Sequence, residues 1–172
     1  MTVSAAATRQ AAWGLHAVGI LLALAPLLDL AAGLGSLNPG QVPWRFGALG
    51  LLSGALVLPV AGLGLMFLAG AILEQRGLTR ILTVVAALGL LVVLAATVLF
   101  VLDALQVRAQ VRQEAKRSFD LASIKALATY GIEAVVLLTL TLATWRAAAG
   151  MHSTRAARRA DAGTLVVAKS DQ

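Results

Sequence analysis

The chain has 172 residues, of which 59% are hydrophobic and only 13% charged, with a mean hydropathy of +0.87; a water-soluble domain runs to about 45–50% apolar and about 25% charged residues. Cysteine is absent, which excludes disulfides, thiol redox chemistry and Cys-ligated metal, and two histidines, His16 and His152, are a poor basis for a haem held between facing helices. The net charge of +6 resides in Lys and Arg that flank apolar segments instead of interleaving with aromatics, a pattern that suits anionic lipid and not nucleic acid.

A helix needs about 20 mostly apolar residues to cross roughly 30 Å of hydrocarbon. The first stretch that qualifies covers 11–32. Arg9 before it and small residues after it resemble a cleavable signal peptide, but the apolar run exceeds a signal core of about 7–15 residues, so a retained anchor is the reading adopted. Asn38-Pro39-Gly40 and Pro43 then break the helix, and an uncharged span follows over 46–73. A short EQRGLTR link forces an antiparallel return into a third span, 81–102, and a fourth covers 126–145. Pro26 in the first span and Pro59 in the second are expected to kink their helices, since each removes a backbone donor.

Between the third and fourth spans, residues 104–125 contain helix formers and neither Gly nor Pro. Arg108, Arg112 and Lys116 form a basic row beside Ala104, Val107, Val111 and Ala115, so the third helix is expected to project up to three turns from the membrane. Ser118 is the expected N-cap of the fourth helix, with Asp120 in its first turn. The projecting hairpin offers a docking surface, or merely a solvated connection. After a membrane domain of residues 1–147, a basic tail over 148–172 is expected to be disordered and held at lipid headgroups by Arg155, Arg158 and Arg159.

Four spans place both termini on one side, with eight Lys and Arg (Arg9, Arg76, Arg80, Arg146, Arg155, Arg158, Arg159, Lys169) against six opposite (Arg45, Arg108, Arg112, Lys116, Arg117, Lys125). The positive-inside rule then favours cytoplasmic termini in a bacterial plasma membrane. Trp13 and Trp145 fall at the terminal-side interface, Trp44 and Tyr130 at the other, and all four read as depth anchors.

The second span contains Gly47 and a GxxxG, Gly50-Leu-Leu-Ser-Gly54. Glycines at this spacing permit close helix approach, so Gly47, Gly50 and Gly54 are expected to be a packing strip, within the chain ahead of a dimer face.

Ionisable residues at membrane depth are each a functional hypothesis. Glu133 is the deepest, seven residues into its span and about 10 Å below the boundary, with Thr129 and Tyr130 placed to hydrogen-bond its carboxyl. Asp29, Arg45, Asp103 and Lys125 approach the same side by topology, giving a polar cluster of Asp29, Arg45, Asp103, Lys125 and Glu133. Its roles are structural neutralisation or a proton or solute relay. His16, about 20 Å from Asp29 along the helix, reads as an interfacial histidine.

No HExxH, GxSxG, P-loop or dinucleotide fingerprint is present, and no cofactor or metal site is expected. The stretch from Asn38-Pro39 through Trp44-Arg45 to Leu58-Pro59-Val60-Ala61-Gly62-Leu63, about a quarter of the chain, resembles cyanobacterial membrane proteins of hormogonium polysaccharide production. That resemblance implies an accessory protein of a cell-envelope pathway and transfers no functional residues. The expectation is an all-α, four-helix antiparallel membrane bundle with a projecting hairpin. Its expected role is a non-enzymatic accessory or scaffold subunit with a membrane-protein partner or a second copy of itself. The alternative is a small transporter or proton-coupled component using Glu133 and Asp29.

Overall fold

The computed structural model describes residues 5–33 and 40–169, all of whose regular structure is helical. The elements are α1 (Ala5–Gly33), α2 (Val42–Ala55), α3 (Val57–Ile72), α4 (Arg76–Gln110) and α5 (Gln113–Lys169). Together they supply four membrane-length apolar segments, Ala6–Ala32, Val42–Ile72, Gly77–Gln110 and Gln113–Arg146. The protein is a multi-pass, all-α membrane bundle. Its outward surface is aliphatic, as in Leu21, Leu28, Leu51 and Ile132, each about two-thirds exposed. Such a surface is costly in water and accepted by lipid.

The second span is two helices because of one side chain. Pro59 has no N–H to give the Ala55 carbonyl, and its ring crowds that same carbonyl. The ladder is interrupted at Leu56, while Leu56 N–H to Leu52 O and Val60 N–H to Leu56 O, each 3.0 Å, carry it past the break. Pro26, also expected to kink its helix, lies within an unbroken α1.

The α3–α4 link is a Schellman turn. Glu74 sits in the left-handed region at φ 53°, its N–H bonds to Ala71 O at 3.3 Å, and Gln75 N–H reaches Gly70 O at 3.1 Å. These two bonds satisfy carbonyls that the end of α3 would otherwise leave open.

The hairpin beyond the third span is present, but its turn comes earlier than expected. Val111, with an extended backbone, and Arg112 form the connection, so Ser118 lies inside α5 and is not a cap. Ala115, Lys116 and Arg117 are good helix formers and Glu114 complements the dipole in the first turn, which lets α5 begin at Gln113. Arg108 and Asp120 bridge the two arms at 2.9 Å. At the other end α5 continues through Lys169, where a disordered tail was expected. Alanine, the strongest helix former, supplies six of the fourteen residues 147–160 and favours the continuation over that stretch. The side chains of Arg155, Arg158 and Arg159 lie outside the described residues, so their headgroup contacts are not placed.

Packing divides the bundle. α1 lies along α3 and touches α2 slightly, without reaching α4 or α5; α4 and α5 pack along each other and hold α2 and α3. The buried core includes Val60, Met66, Phe67, Val93, Phe100, Tyr130 and Leu137.

Candidate functional site

Pro43 in the first turn of α2 starts that helix at the end of the bundle where α4 and α5 join, and places Arg45 and Phe46 on its first two turns. Arg45 meets Asp103 of α4 side-on: Nε to Oδ2 at 2.6 Å and Nη2 to Oδ1 at 2.5 Å. Asp103 is fully buried, whereas the Arg45 side chain keeps 33% of its surface exposed. A bidentate fork of this kind fixes direction as well as distance. It sets the rotation of α2 on α4.

An aromatic series runs inward beside this pair. Phe46 stacks between Phe119 of α5 (5.2 Å, 25°) and Phe100 of α4 (4.9 Å, 19°), and Phe100 meets Tyr130 of α5 edge-on at 6.1 Å. The fully buried Tyr130 donates its hydroxyl proton to the Leu49 carbonyl of α2 at 2.5 Å. Tyr130 is therefore a core tie between α5 and α2, not an interfacial anchor. Trp13 and Trp145 are exposed, 51% and 70%.

Glu133 lies one turn further along α5. Only 3% of its surface is exposed, and neither carboxyl oxygen has a hydrogen-bond partner. The expected partners are engaged elsewhere, because Thr129 bonds to Lys125 O at 3.0 Å and Tyr130 to Leu49 O. Asp29 and Lys125 are exposed, and α1, which carries Asp29, has no contact with α4 or α5. The five-residue cluster thus resolves into a closed Arg45–Asp103 pair and a separate, unpartnered Glu133. The cause is topological: nearness to one membrane side does not bring α1 across α3.

The glycine strip is also corrected. A Cβ on Gly47 or Gly54 would meet nothing within 4 Å, and one on Gly50 would only touch Phe100 at 3.9 Å. The close crossing is instead between Gly19 of α1 and Gly62 of α3, where added Cβ atoms would collide with backbone. Ala12, His16, Gly19 and Ala23 recur every three to four residues along α1 and face that seam, opposite Gly62, Met66 and Ala69. This small-residue period was the signal to follow, together with its partner period in α3. His16 is buried there against Trp13 (6.2 Å), with Nδ1 unpartnered. The Phe46, Phe100 and Phe119 stack had no sequence signal, since its members are scattered over three segments.

Among the described residues no group of three His, Asp or Glu is placed to hold a metal ion. The chain matches no family model, no curated protein sequence and no solved structure.

Proposed function

We propose that this protein is a non-enzymatic accessory or scaffold subunit that recruits another membrane protein, or a second copy of itself, through the outer face of α2. The observation that carries this reading is the open space over Gly47 and Gly54. With Leu51 and Leu58, both exposed, they recur at 47, 51, 54 and 58, the spacing of one helix face. Backbone exposed at Gly47 and Gly54 lets a partner helix approach closely, which is where association energy in lipid comes from. The count of eight against six Lys and Arg supports cytoplasmic termini in a bacterial plasma membrane. The resemblance between Asn38 and Leu63 favours a cell-envelope assembly. For the projecting hairpin, the exposed Leu121 and Ile124 near its base supply a second contact region.

The test is purification of the tagged chain from native membranes in mild detergent, with cysteine cross-linking in a background that has no native Cys. Leu51→Cys is expected to form a cross-linked species, of twice the chain mass for a second copy or another mass for a different subunit. Gly54→Leu is expected to abolish it. A chain that purifies alone and cross-links nowhere along α2 overturns the proposal.

A small transporter or proton-coupled component is the second reading, favoured by the buried, unpartnered Glu133. Asp29, the other residue of that reading, is exposed on α1, which does not pack against α5. Loss of flux in proteoliposomes on Glu133→Gln, with partner binding retained, would support this reading over the first.

A further inference from the structure

Four polar or charged side chains are buried among the described residues: His16, Ser53, Asp103 and Glu133. Ser53 donates to Gly50 O at 2.8 Å and Asp103 accepts both bonds of Arg45. His16 belongs to the α1–α3 seam. Glu133 alone is an acid with neither cation nor donor, and its surroundings can be read from the register of the helices around it.

On α5 the carboxyl shares its face with Tyr130 and Leu137, both fully buried. Across on α4, Phe100 stands against Tyr130, and Gly89 lies beside Leu137, 3.7 Å from its methyl at the Cβ position. The buried Val93 and Ala96 fall between those two levels and oppose Glu133 with hydrocarbon, and the partly buried Thr97 at the same level has its hydroxyl proton committed to the Val93 carbonyl at 2.7 Å. On α2, Tyr130 marks the level of Leu49, and Ser53, one turn on, has its hydroxyl already committed.

The charged groups of these elements are remote or engaged. α3 has no titratable side chain, α4 offers Asp103 two turns outward of Ala96, and α2 offers Arg45, which holds that same Asp103. On α5 itself, Lys125 is two turns outward and exposed. α1 does not touch α5, so His16 does not face the site.

An ionised carboxylate enclosed in this way has nothing to replace its hydration, and its burial costs far more than that of the neutral acid. A proton needs no added space and is the ligand the site can hold as packed. We propose that Glu133 is a proton-binding site and that release of its proton opens the contact between α5 and α2. A carboxylate must gain water or a donor, and reaching either requires α5 to move from its neighbours. The Tyr130–Leu49 bond, one turn away, is the tie that such a movement breaks. Both sides of the contact contain a yielding point: Gly131 lies within α5 beside Tyr130, and the Leu56 interruption lies just beyond Ser53. The device operates whether or not α2 carries a partner and without any transport.

Two measurements on the full chain in lipid nanodiscs test the two halves. Infrared spectroscopy is expected to show the C=O stretch of a neutral carboxyl that is missing in Glu133→Gln and that fades in the unmutated chain at alkaline pH. In a Ser53→Cys background, labelling by a water-soluble maleimide is compared with Ser53→Cys/Glu133→Gln at each pH, which cancels the thiol's own titration. The ratio is expected to be near unity in acid and to rise by an order of magnitude in alkali. A neutral-carboxyl band that Glu133→Gln leaves intact, or one that never titrates, overturns proton binding. A titrating band with a flat labelling ratio overturns the opening.

Discussion

Gly19 and Gly62 cross with their backbones in contact: a Cβ built on Gly62 would lie 2.5 Å from the Gly19 carbonyl oxygen and 3.0 Å from the Ala23 nitrogen. Backbone cannot swing aside as a flexible side chain can, so Gly62→Ala must push α1 off α3. The expected loss is about 1–3 kcal/mol, the usual range for overpacking. Gly54→Ala, with nothing near its Cβ, serves as the control and is expected to be neutral or to gain up to about 1 kcal/mol from alanine's helix preference. Reversible unfolding in mixed detergent measures both. Equal losses at the two positions would mean that the α1–α3 seam is not where α1 is held.

The Arg45–Asp103 pair is asymmetric in its burial, and its mutants should be asymmetric too. Arg45→Ala leaves a fully buried carboxylate without the guanidinium that neutralises it, whereas Asp103→Asn leaves a guanidinium that already reaches solvent. The arginine variant is therefore expected to unfold at the lower denaturant concentration of the two. Arg45→Leu/Asp103→Leu is expected to recover much of the loss, because apolar replacement removes both desolvation costs together. A less stable Asp103→Asn would show that the pair is governed by the arginine's own burial.

The spans were legible because a bilayer demands long apolar runs, and the runs over 46–73 and 81–102 leave little freedom in where a helix can lie. Arg45 and Asp103 were brought to one membrane side by the same counting. What counting does not provide is rotation about each helix axis. Gly50 and Gly54 have a packing spacing, yet α2 is turned so that Phe46 and Leu49 look inward, and Gly54 looks out. Asp29 was misplaced for a related reason, since its helix docks on α3 alone. Residues 104–125 contain no Gly or Pro, so no residue marked the turn at Val111 and Arg112.

Tyr130 combines two contributions that can be separated. Tyr130→Phe keeps the ring against Phe100 and deletes only the hydroxyl that bonds Leu49 O. Leu49 lies inside α2 and its carbonyl retains a helical donor, so no buried acceptor is stranded. The expected cost is about 1 kcal/mol, the net worth of a neutral hydrogen bond. Tyr130→Ala also opens a cavity in the core and is expected to cost about 3–5 kcal/mol, as for other large aromatic truncations. Both values come from the same unfolding measurement. A costless Tyr130→Phe would mean that the tie between α5 and α2 is the ring alone.

Glu74 gives the chain a position at which it should gain stability. Its φ of 53° places a side-chain-bearing residue where the left-handed conformation costs about 1–2 kcal/mol. The Schellman bonds that hold it there are made by backbone N–H groups and do not involve the Glu74 side chain. Glu74→Gly keeps those bonds and relieves the crowding at Cβ, while the added freedom of the unfolded chain gives back about 0.5–1 kcal/mol. The net expectation is a gain of about 0.5–1 kcal/mol, read as a higher midpoint in reversible unfolding. Glu74→Val, β-branched at the same φ, should move the midpoint in the opposite direction. If both substitutions lowered it, the glutamate side chain would have to be holding the turn through contacts of its own, for instance with Arg9 across the cleft that both residues line.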